Sequence, residues 1–134
     1  MSYLVAGIFA ASLAWVVNRL VIKYFGEYSI IWVIPLLEET IKTGVALLSG
    51  TSLVLTHGIF GCIEAIHDYY FSRKWGLVAG VSSVVSHLLY GWLTIWIYDN
   101  ILSWVASVVL VGSLHTFWNF IMIKLFSYVI KKGL

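Results

Sequence analysis

The chain has 134 residues, 61% of them hydrophobic and only 10% charged, with a net charge of +2. Soluble domains carry about 25% charged residues, so this composition excludes an ordinary soluble fold and a disordered chain, and so small a charge gives a nucleic-acid partner no footing. The single cysteine, Cys62, permits neither an internal disulfide nor a Cys-rich zinc motif.

Five apolar runs are long enough to cross a bilayer core of about 30 Å as helices. They are Tyr3–Val21, Ile30–Leu48, Leu53–Phe71, Gly76–Tyr98 and Ile101–Lys124. No basic segment or small-residue cleavage site marks the first run as a signal peptide. The runs do not alternate as barrel strands do, so the expected fold is all-α, a polytopic bundle of five transmembrane helices in one domain. Short polar breaks separate them at Lys23–Ser29, Ser49–Ser52, Ser72–Lys74 and Asp99–Asn100. Arg19 and Lys23 follow the first span, Arg73 and Lys74 the third, and Lys124, Lys131 and Lys132 the fifth. Cytoplasmic loops carry the excess of Lys and Arg, which places the N-terminus outside and the C-terminus in the cytoplasm, in a multi-pass protein of the cell membrane. Tyr and Trp residues near the ends of the runs read as interfacial anchors.

The second run contains Pro35-Leu36-Leu37-Glu38-Glu39-Thr40-Ile41-Lys42. One ionisable residue at a membrane helix centre costs roughly 2.5–3.5 kcal/mol, against about 0.3–0.6 returned by each large apolar residue. Three of them in one span mean either that the segment is not a membrane helix or that the charges have partners and a role. Pro35 is expected to kink this span and free a carbonyl. At 1.5 Å per helical residue, Glu38, Glu64, His87 and His115 lie about 15, 13, 18 and 13 Å from the inner interface. Four helices thus carry an ionisable group at nearly one level. Lys42 is four residues from Glu38 and is expected to neutralise it in part. Glu39 points about 100° away, bracing a neighbouring helix or sharing the role of base.

A carboxylate out of water makes a stronger general base, and two together can share a proton. His115 and Asn119, also four apart, can donate to an oxyanion. The set suits hydrolysis of a peptide bond inside the membrane. The same Glu38, Glu64, His87 and His115 can instead ligate a zinc ion that keeps an open water position. Other classes remain: Glu and His chains also serve as proton relays, and a non-catalytic binding protein can keep such a cluster as architecture. The plainer readings are polar glue between helices for Glu64, His87, His115 and Asn119, solvation near the outer interface for His57, an interfacial patch for His67 and Asp68, and packing for Cys62.

Glu38-Glu39-x-x-Lys42, Phe60-x-x-x-Glu64, His87 and His115-x-x-x-Asn119, in this order on successive spans, resemble the PrsW-type intramembrane proteases of the CAAX-protease and bacteriocin-processing superfamily. The resemblance covers Pro35 to Phe120. It implies that Glu38 activates water, that Glu64 assists, and that His115 and Asn119 form the oxyanion hole; His87 has no settled counterpart and is placed by depth. It also implies a membrane protein or peptide as substrate. Family members usually have about eight helices, so five predict a site open to lipid and favour a homo-oligomer.

Overall fold

The computed structural model describes residues 1–72 and 75–131, with side chains as far as Leu125. It is helical: α1 (Tyr3–Phe25), α2 (Ser29–Trp32), α3 (Ile34–Ser49), α4 (Leu53–Phe71), α5 (Gly76–Ile101) and α6 (Trp104–Lys131), with no strand among the described residues. Arg73, Lys74 and Lys132, on which part of the charge-bias reading rests, lie outside the described residues.

Local chemistry sets the ends. Ser2 and Ser52 cap α1 and α4 by accepting from the amides of Val5 and Leu55. Gly50 ends α3 at φ 62°, a left-handed conformation that costs glycine little. Leu102 ends α5 at φ 56°, where a side chain costs roughly 1–2 kcal/mol. Asp99 and Asn100, expected as the break between the last two spans, instead continue α5, because the Asn100 amide bonds back to the Trp96 carbonyl. The second run is not one kinked helix. It breaks at Val33 into a single turn and a 16-residue helix. Pro35 sits in the first turn of α3, where a missing N–H goes unnoticed.

Among the described residues, three helices are long and apolar enough to cross a membrane: Tyr3–Phe25, Gly76–Ile101 and Trp104–Leu125. The other two long helices, α3 and α4, carry Glu38, Glu39, Lys42, Glu64 and Asp68. The packing is inverted relative to a water-soluble domain. Leu4, Ile8, Val16, Leu20, Val81, Val85, Trp92, Trp96 and Leu110 are exposed, whereas the interior holds many small and polar residues beside Phe60, Tyr90, Ile97 and Val111. On α1 the buried stripe is Ala6, Ala10 and Ala14, one per turn. Side chains this small let backbones approach, which is how helices associate where solvent is as apolar as leucine.

The most extensive helix contact is between α4 and α5, and glycines lie in it. A Cβ on Gly61 would stand 2.7 Å from the His87 Cβ, and one on Gly91 would stand 2.9 Å from both the His57 Cβ and the Val54 Cα. These gaps bring the polar faces of the two helices together and carry His57, Glu64 and His87 into the centre.

Candidate functional site

At the centre lies Glu39, fully buried. Its Oε1 accepts from Lys42 Nζ at 2.5 Å, one turn along α3, and from His115 Nδ1 at 3.0 Å, on α6. Its Oε2 lies 3.5 Å from His57 Nδ1 of α4. Lys42, also fully buried, donates to His87 Nδ1 of α5 at 2.9 Å and sits 4.5 Å from the Phe60 ring centroid. The other His87 nitrogen, Nε2, bonds Glu64 Oε2, which Ser83 Oγ also approaches at 3.4 Å. Four helices therefore join in one chain: His115, Glu39, Lys42, His87, Glu64.

The partners assign the protons. An ammonium has donors only, so His87 Nδ1 accepts and its proton resides on Nε2, donated to Glu64. Glu39 is an acceptor, so His115 Nδ1 donates. His115 Nε2 then faces Glu38 Oε2 at 4.0 Å and donates only when the ring is doubly protonated. The His115 ring is packed by Tyr90, 4.9 Å between centroids, and by His87, 5.2 Å and nearly perpendicular.

Glu38 has a different environment from its neighbour. Its Oε1 accepts from Asn18 Nδ2 of α1 at 2.7 Å. Glu38, Asn18 and Glu64 line a cavity of about 550 Å³ whose other walls include Trp15, Phe60 and Ile63. A second cavity, of about 260 Å³, lies between α4, α5 and α6 and is lined by Glu64, Asp68, Ser83, His87, His115 and Asn119 among others. Glu64 belongs to both cavities. Glu39, Lys42 and His57 line neither.

The residues expected from the sequence thus converge, with three differences. Lys42 pairs with Glu39, three residues away, and not with Glu38. His57, expected to be solvated, is fully buried against Glu39, because its helix face is the one that holds Gly61 and Glu64. Asn119 lies one turn from His115 and opens only to the smaller cavity. Asn18 escaped sequence reasoning, since a lone amide in a first span has no pattern around it. For His57 a signal existed: positions 57, 61 and 64 follow helical spacing on one face.

Zinc fits this arrangement poorly. Of the expected set, His87 Nε2 bonds Glu64 while Lys42 holds its Nδ1, and His115 Nε2 faces Glu38 Oε2 at 4.0 Å, so the four residues meet as two pairs. Among the described residues, no three His, Cys, Asp or Glu side chains are arranged to hold a metal ion.

Compared with protein-family models, curated proteins and solved structures, the chain matches none.

Proposed function

We propose that the chain is a polytopic membrane protein that hydrolyses peptide bonds of membrane-embedded substrates by glutamate-activated water. In this reading α1, α2 with α3, α4, α5 and α6 make five spans, the N-terminus is outside and the C-terminus cytoplasmic. The inverted packing supports a lipid setting, and the ordered motifs that resemble the PrsW-type proteases agree with the activity.

One observation carries the proposal: Glu38 and Glu64, from different helices, line one cavity with a hydrogen-bonded imidazole and lysine network directly behind them. Glu64 has its Oε2 engaged by His87 and Ser83, which leaves it a weaker base and a good orienting group. Glu38 holds Asn18 by one oxygen only and keeps Oε2 for a proton. A water between them gives its proton to Glu38 as its oxygen bonds to the carbonyl carbon. The resemblance gives the oxyanion to His115 and Asn119, which line the smaller cavity, so in this reading the carbonyl sits beside Glu64, which borders both cavities. The C–N bond then breaks and Glu38 returns the proton to the leaving amine. This route uses no metal, so a chelator is expected to leave activity intact.

Cleavage of single-span substrates by the purified protein and by Glu38→Ala tests the proposal. Loss of a general base lowers the rate by about 10²–10⁴-fold. Equal cleavage by both would end it.

A second reading is favoured by the chain itself. Glu38, His115, Glu39, Lys42, His87 and Glu64 are successive proton-bearing groups, the form of an intramembrane relay. Proton flux in proteoliposomes that Glu64→Gln abolishes, without any peptide cleavage, selects this alternative.

A further inference from the structure

We propose that the cavity between α4, α5 and α6 is the path by which water reaches the buried network, entering from the side of the bundle where α4 meets α5. The inference goes beyond either chemistry above; it rests only on the bundle being membrane-embedded.

Three helices give the same depth profile. On α4 and the Ser72 that ends it the lining residues are Glu64, Asp68 and Ser72; on α5, His87, Ser83 and Ala79; on α6, His115, Asn119 and Ile123. Each set steps by four residues, so each runs about 12 Å along its helix. Because α5 runs opposite to its neighbours, all three sets descend together towards the level of Ser72 and Gly76, where α4 ends and α5 begins. The inner level is Glu64, His87 and His115. The middle level is Asp68, Ser83 and Asn119, polar on every helix.

Ser83 of this level also ties α5 to α4, at the Gly61 carbonyl and Glu64 Oε2, while Asp68 and Asn119 join it in lining the cavity. Its volume of about 260 Å³ admits several waters, each taking about 30 Å³, and polar walls keep a cavity wet. By contrast, the groove on the outer face of α4 and α5, lined by Ile66, Leu77, Val81 and Val85, is apolar. Asp68 is one turn from Glu64 and is the positioning residue of the path, holding water in line with the inner carboxylate.

Thiol accessibility tests this in the full chain, reconstituted in vesicles. With Cys62→Ala as background, Ser86→Cys places a thiol on the path, and Val85→Cys places one on the neighbouring apolar face. A permanently charged methanethiosulfonate reacts with thiolates, which form in water and not in hydrocarbon. Ser86→Cys is expected to react at least about 10-fold faster than Val85→Cys, and only with reagent on the side where α4 ends at Ser72 and α5 begins at Gly76. Ser82→Cys serves the same purpose if Ser86→Cys fails to fold. A rate no faster than that of Val85→Cys, or reaction from the opposite side, overturns the path. Labelling without peptide cleavage keeps the path and removes the hydrolase; cleavage without labelling does the reverse.

Discussion

Glu38 and Glu39 are adjacent in sequence and opposite in circumstance. Glu39 is sealed, its oxygens set against Lys42, His115 and His57, and it lines neither cavity by the network. Glu38 has one amide partner and faces a cavity it shares with Glu64. A turn of about 100° on one helix separates a carboxylate bonded into the interior from one that opens on a cavity. The sealed half is architecture with charge in it; the open half has spare lone pairs.

The comparison breaks most visibly at Lys42. Removing one member of a buried pair strands the other, so Lys42→Met is expected to cost about 3–5 kcal/mol, seen as lost folded yield and lower thermal stability in detergent. Glu39→Gln with Lys42→Met removes both charges, and most of that loss is expected to return. If the double variant is as unstable as the single, the ion pair is not what holds the centre. Gly61→Ala is next. Its Cβ meets the His87 side chain, and overpacking of this kind costs about 1–3 kcal/mol. Stability and activity should fall together, since the shift separates His87 from Glu64. Asn18→Ala removes the bond to Glu38, worth about 1.5–3 kcal/mol for a charged acceptor, and exposes the carboxylate further to the cavity. Thr43→Val is the smallest. The Thr43 hydroxyl is buried without a hydrogen-bond partner among the described residues, so replacing it by a methyl is expected to be neutral or slightly stabilising on thermal denaturation.

Much of this was legible in the sequence. The apolar runs predict helices, and equal depth predicts that Glu38, Glu64, His87 and His115 converge. Depth is a one-dimensional argument, and it failed where rotation about the helix decides. His57 lies near the start of α4, yet its face turns it inwards. Spacing alone permits Lys42 to reach either Glu38, four residues back, or Glu39, three back; the position of His87 on α5 draws it to Glu39. The break at Val33 was illegible for another reason: a proline marks a nearby helix start as readily as a kink.

The division between sealed and open halves is tested most directly by the rate of peptide cleavage in two folded variants, Glu38→Gln and the double variant Glu39→Gln with Lys42→Met. The account predicts that Glu38→Gln is as stable as the parent and loses about 10²-fold or more in rate, while the double variant still cleaves. Full activity in Glu38→Gln, with cleavage abolished in a well-folded double variant, would contradict it.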